Sequence, residues 1–148
     1  WVNQLILLRD IQKETGGFTE FVPLGFVHQN TDLFHAGLAR PGPTEEESLK
    51  VHALARLMLR GWIDNVQVSW VKLGRELSQR CLQAGANDYG GTLMDENISR
   101  LAGSTAGQFM PPYEFQELIR EIRRVPAERS TTYGIRQVFD TALDKAPV

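Results

Sequence analysis

The chain has 148 residues, 42% hydrophobic and 23% charged, with a formal net charge of −2. This is the balance of a folded globular domain rather than a disordered or fibrous one. Its 16 basic and 18 acidic residues are scattered, which excludes the electrostatic footprint of a nucleic-acid binder.

Trp1, Leu5, Leu8 and Ile11 keep helical spacing, and an amphipathic helix is expected over 2–15, stopped by Gly16-Gly17. The chain opens without an initiator methionine and already in helical register, as expected of a piece of something longer. No basic-then-apolar leader is present and no apolar run approaches the roughly twenty residues of a membrane helix, so a cytoplasmic protein without membrane contact is expected.

Phe21-Val22-Pro23-Leu24-Gly25-Phe26-Val27 reads as a short buried strand. A long loop from His28 to Pro43 follows it. Thr44 with Glu47 forms a capping box for a helix running to about Arg60, closed by Gly61. The acids Glu45, Glu46 and Glu47 suit the positive end of that helix and are read as structural.

Val66 to Leu73 reads as a second strand, with a helix following from about Arg75 to Gln83. Ala86 to Tyr89 reads as a third strand, followed by a helix over 95–101. Pro112 to Arg124 carries a further amphipathic helix, and a polar tail follows Pro126.

Alternation of this kind implies parallel strands joined by right-handed crossovers. Three strands are few for a doubly wound sheet, and a full (β/α)₈ barrel takes about 250 residues. The fold class expected is therefore α/β, the C-terminal part of a TIM-type (β/α) barrel with about three parallel strands and flanking helices. Residues 1–148 would form one portion of a single barrel domain, leaning on a missing half or on another copy of itself.

Within the second strand, Gln67 and Ser69 share one face while Val66, Val68 and Trp70 share the other. Inward polar groups need hydrogen-bond partners, which a ligand or ordered water can supply. His28 and Asn30 stand on the loop after the first strand, where barrels build their sites. Asn87 and Asp88 lie at the mouth of the third strand, level with Ser69 and Lys72 if the strands are in register, a set suited to a ribose, an amino acid or a uracil. The Gly-rich turn beyond, Tyr89-Gly90-Gly91-Thr92, lets backbone approach a ligand. His35 and His52 have no carboxylate or cysteine at metal-ligand spacing, so no metal is expected on these residues. The one cysteine, Cys81, falls in a core pattern.

Three runs combine into something more specific than any single motif. They are Phe18-Thr19-Glu20-Phe21-Val22-Pro23-Leu24 with His28-Gln29-Asn30-Thr31, then Gln67-Val68-Ser69-Trp70-Val71-Lys72-Leu73-Gly74, then Gly85-Ala86-Asn87-Asp88-Tyr89-Gly90-Gly91-Thr92-Leu93-Met94. Together, and with Pro126 to Tyr133 near the end of the chain, they closely resemble the FO synthase family, radical S-adenosylmethionine enzymes of deazaflavin biosynthesis, and most of all its tyrosine-using subunit or half.

The resemblance implies a radical S-adenosylmethionine barrel whose N-terminal half, absent here, holds a 4Fe-4S cluster on a C-x-x-x-C-x-x-C loop and forms a deoxyadenosyl radical. It further implies that L-tyrosine is cleaved and its 4-hydroxybenzyl group added to 5-amino-6-(D-ribitylamino)uracil, a partner subunit or domain then closing the ring. Three cysteines are needed and this chain has one, so the chain alone is expected to be inactive. Carried over as candidates for binding S-adenosylmethionine or substrate are His28, Asn30, Gln67, Ser69, Asn87, Asp88 and Thr92. A sister radical enzyme of the futalosine route to menaquinone shares the Gly-Ala-Asn-Asp run, and a non-catalytic half-barrel that binds a ligand or assembles with a partner is the reading outside enzymes.

Overall fold

The computed structural model describes residues 1–93 and 96–140. They divide into two compact units, 1–109 and the residues from 110 onward.

In the first unit α1 (Val2–Thr15) ends where Gly16 takes a left-handed conformation and returns its N–H to the Gln12 carbonyl. α3 (Glu45–Leu59) starts on the expected capping box, with Thr44 and Glu47 each accepting the other's backbone N–H. α4 (Trp70–Ala84) follows, and α3 packs against both α1 and α4. Leu5, Ala55, Leu59, Val66, Val68, Cys81 and Ala86 are almost wholly buried and form the core of this unit.

Three extended segments pair in parallel in chain order, Phe21 with Val66 and Gln67 with Asp88. The bonds are regular: Phe21 N–H to Asn65 O at 2.8 Å, Gln67 N–H to Phe21 O at 3.0 Å, Asn87 N–H to Val66 O and Val68 N–H to Asp88 O, both at 2.9 Å. The expected order is thus present, but each pairing is a single bridge rather than a long ladder.

The second strand is shorter than its sequence implies. Trp70 to Leu73 is helical, because the Ser69 carbonyl accepts the N–H of Lys72 and Leu73 and opens α4. Gly74 then interrupts α4 with φ 75° and ψ −178°, a region open in practice only to glycine. The Val71 carbonyl, which an unbroken helix would give to the N–H of Arg75, accepts the Ser104 hydroxyl at 2.9 Å. Two short helices complete the unit. α2 (Asp32–His35) lies inside the long loop, where none was expected. α5 (Ile98–Leu101) has Glu96 accepting the Ser99 N–H at 2.7 Å; Asp95, in the expected first turn, lies outside the described residues.

In the second unit α6 (Pro112–Glu121) buries Phe115 and Leu118 and ends three residues before the expected Arg124. The expected polar tail is instead an antiparallel hairpin of β1 (Ala127–Arg129) and β2 (Ile135–Val138). Its turn is tied by Ser130, whose N–H donates to the Gly134 carbonyl and whose hydroxyl accepts the Gly134 N–H. The Arg129 guanidinium lies 4.0 Å from the centre of the Tyr133 ring.

His52 of α3 is 1% exposed. Its Nδ1 donates to the Ser48 carbonyl at 2.7 Å, and its Nε2 has no partner in hydrogen-bonding geometry. Burial pushes the ring below its ordinary value of 6.5, against the pull of the Ser48 and Gln67 carbonyls. The unfolded chain then binds the extra proton more readily, so this contribution is complete above about pH 6.5 and is lost as pH falls through that value toward the folded one. Stability measured between pH 7 and pH 5 should fall more steeply in the native chain than in His52→Gln; equal slopes would exclude His52 as the source.

Candidate functional site

The parallel pairing brings Gln67 and Asp88 side by side on adjacent segments. Burial alternates as expected, with Val66, Val68 and Trp70 buried and Gln67 and Ser69 half-buried. The Asp88 carboxylate accepts the Gly90 N–H at 2.6 Å, curling the chain over the segment end. Gly90 has φ 83°, and a Cβ there would stand 2.5 Å from the Gln67 amide nitrogen. At that positive φ any side chain is strained, and it would also have to push the Gln67 amide aside. The result is an amide and a carboxylate on one half-open face, a donor and acceptor set for a polar ligand.

Ser69 adjoins this pair as the residue preceding α4, and Thr92 lies exposed beyond Gly91. Asn87 does not join them. Its Oδ1 accepts the Val66 N–H at 2.8 Å and the Arg56 guanidinium at 2.7 Å, and its amide reaches Asn65. Asn30 is exposed and latches its loop to the end of α5, through its N–H to the Ala102 carbonyl and its amide to the Leu101 carbonyl.

His28 belongs to a separate recess. Its Nδ1 accepts the Gly42 N–H at 2.9 Å, which puts the ring proton of the neutral form on Nε2. The Phe34 ring meets it edge-on with centroids 4.5 Å apart. His28 lines a cavity of about 480 Å³ together with Lys72, Arg75, Glu76 and Ser104, a volume in the range of small-molecule sites. A second cavity of about 430 Å³ is walled by apolar groups including Phe21, Leu24, Phe26 and Val51.

Sequence reasoning passed over two residues that shape these sites. Arg56 donates to the carbonyls of Gly85 and Asp64, each at 2.6 Å, as well as to Asn87. Gly42 supplies the N–H that orients His28; the flanking Pro41 and Pro43 were the available signal of a constrained turn.

The chain does not fit an iron–sulfur cluster. Cys81 is fully buried, and burial pushes its thiol up to about 11, the opposite of a thiolate ligand. No group of three or more His, Cys, Asp or Glu side chains able to hold a metal occurs among the described residues, nor does a helix long and apolar enough to cross a membrane.

Short segments paired in parallel, with helices packed around them, define the chain as a segment of an α/β protein. More particularly, it belongs to the family described as the CofH/MqnC C-terminal region, whose model matches residues 15–142. It is 57% identical to an FO synthase of Mycobacterium leprae over 92% of its own length and 16% of that protein. It is 53% identical to a 5-amino-6-(D-ribitylamino)uracil–L-tyrosine 4-hydroxyphenyl transferase of Methanopyrus kandleri over 94% of its length and 38% of that protein. With the transferase of the same description from Methanocaldococcus jannaschii it shares 47% identity over 91% of its length and 38% of that protein. The chain thus spans between a sixth and two-fifths of these relatives.

Proposed function

We propose that this chain is the C-terminal part of a radical S-adenosylmethionine barrel that transfers the 4-hydroxybenzyl group of L-tyrosine to 5-amino-6-(D-ribitylamino)uracil, as FO synthase. Its sustained identity to the Methanopyrus kandleri transferase carries this reading. The parallel pairing of three segments in chain order supports a place in a barrel wall. With one buried thiol the chain leaves S-adenosylmethionine cleavage to residues outside it, in an N-terminal half that would hold the cluster. A ring-closing partner subunit or domain would act on the product, and the setting would be the cytoplasm.

The work left to this chain is to hold and orient substrate and to exclude water. Gln67 and Asp88, on rigid paired segments, are suited to hydroxyl and ring-edge groups such as a ribityl chain or a uracil. Ser69 and Thr92 border that face.

The test exchanges the matched segment of the Methanopyrus kandleri transferase for this chain. The reconstituted chimera is assayed anaerobically by mass spectrometry for the tyrosine-derived adduct of the aminouracil. Adduct formation is the expected result. A folded chimera that cleaves S-adenosylmethionine without forming adduct would point to the menaquinone-route relative, and one with no chemistry at all would favour a binding module.

In the same chimera Asp88→Asn should lower turnover at least tenfold and leave the melting temperature within about 2 °C, since the amide oxygen can still accept the Gly90 N–H. Unchanged turnover would remove Asp88 from the site.

A further inference from the structure

The turn beyond the third extended segment is built from two glycines in succession, Gly90 at φ 83° and Gly91 at φ 107°, both exposed. Such backbone has little conformational preference of its own, so its course is set by what it bonds to. The Asp88 carboxylate takes the Gly90 N–H, a local bond across two residues. The next bond is not local. The Trp70 indole donates its Nε1–H to the Gly91 carbonyl at 3.1 Å, across 21 residues of chain. Trp70 is the first residue of α4, directly after Ser69, and is 3% exposed. Its ring is buried like Val66 and Val68, while its polar edge reaches the glycine turn. An indole carries one donor on a large, rigid ring, which fixes the direction of the bond.

We propose that Trp70 is a positioning residue for the ligand held at the Gln67–Asp88 face, acting through the Gly91 carbonyl on the course of the Gly90–Thr92 turn. Gly90 bonds to the Asp88 carboxylate and passes close against the Gln67 amide, so the turn touches both members of the pair. A turn released at Gly91 shifts against both, and Thr92 moves with it. Hydroxyl and ring-edge groups need donors and acceptors at set distances, and binding them is sensitive to such a shift. Stability depends less on the bond, because Gly91 is exposed and water can take the place of the indole at its carbonyl. The inference rests on the transferase reading for the identity of the ligand, the aminouracil.

The test replaces Trp70 with benzothienylalanine in the full-length protein that carries this segment, reconstituted anaerobically. Sulfur there stands in for the N–H, so shape and burial are kept and the donor is lost. KM for the aminouracil should rise about fivefold or more, with KM for L-tyrosine within about twofold and the denaturation midpoint nearly unchanged. Trp70→Phe should repeat the split between the two substrates. Gly91→Ala perturbs the same turn independently, since a methyl there meets no atom within 4 Å and only the positive φ strains it. It should raise the same KM, and combining it with benzothienylalanine should add little, because both act through one turn. An unchanged aminouracil KM in the benzothienylalanine protein, with turnover intact, overturns the proposal and leaves the transferase reading standing; fully additive losses overturn it as well. If the native protein shows no transfer, that reading fails, and anaerobic equilibrium dialysis of the aminouracil decides the role of Trp70 alone. Binding weakened about fivefold or more by benzothienylalanine sustains the proposal; equal binding, or none to the native protein, overturns it.

Discussion

Arg56→Met should destabilise the chain by about 2–4 kcal/mol, read as a lower denaturation midpoint with an unchanged slope. The guanidinium joins three places that the sequence keeps apart: the Asp64 carbonyl before the second extended segment, the Gly85 carbonyl after α4, and Asn87 beside the third segment. Asn87 in turn accepts the Val66 N–H, so losing Arg56 loosens the register of Val66 against Asn87 as well. Methionine keeps much of the stem packing and removes only the donors. Arg56→Lys should restore little, because a single ammonium cannot span acceptors arranged for a planar fork. A loss below about 1 kcal/mol would mean that the three bonds are screened like an ordinary surface pair.

Gly42→Ala is the second large effect expected. A methyl group at Gly42 would fall far inside van der Waals contact with the Phe26 carbonyl oxygen and only 3.4 Å from His28 Nδ1. Backbone has to move, which costs about 2–3 kcal/mol in a packed region. The movement also takes the Gly42 N–H away from His28. Two readings should change together, the melting temperature and the imidazole nitrogen shifts of His28, which should lose the signature of a single tautomer. An alanine variant with native stability and an unaltered His28 spectrum would show that the loop yields without strain.

Where local chemistry decided the structure, the sequence was legible. α1 follows from its apolar spacing and the Gly16 stop, and α3 from the Thr44–Glu47 capping box. The alternation across Val66 to Trp70 was read correctly, whereas Asp88, expected level with Ser69 and Lys72, pairs with Gln67, and Lys72 lies in α4. The same alternation misled beyond Ser69. Trp70 and Val71 favour strand by residue type, yet the Ser69 carbonyl starts a helix there, and Gly74 was the sign that no regular element ran through. The hairpin after Pro126 was missed because β2 is exposed along its whole length and shows no alternating burial. Its turn, Thr132-Tyr133-Gly134, was the available cue.

The site divided in the same way. Gln67 and Ser69 take the half-buried positions that strand period gives them, whereas Asn87 turns to Val66 and Arg56, and the recess holding His28 and Lys72 depends on loops and on the Gly74 break, which have no period to read. Arg56 could not have been found from spacing at all, since its partners Gly85 and Asn87 lie 29 and 31 residues away.

The two parallel pairings also set an order of assembly. Gln67 meets Asp88 across 21 residues, most of them in α4, while Phe21 meets Val66 across 45. Closing the longer loop costs about 0.6 kcal/mol more for each doubling of length, so the later-synthesised pairing is the easier one to form. At roughly 5–20 residues per second on a ribosome, the Phe21 segment waits about 2–9 s for Val66 to appear. During that interval its apolar run, Phe21 to Val27, stands without the strand that Val66 begins, which leaves that edge open to a chaperone.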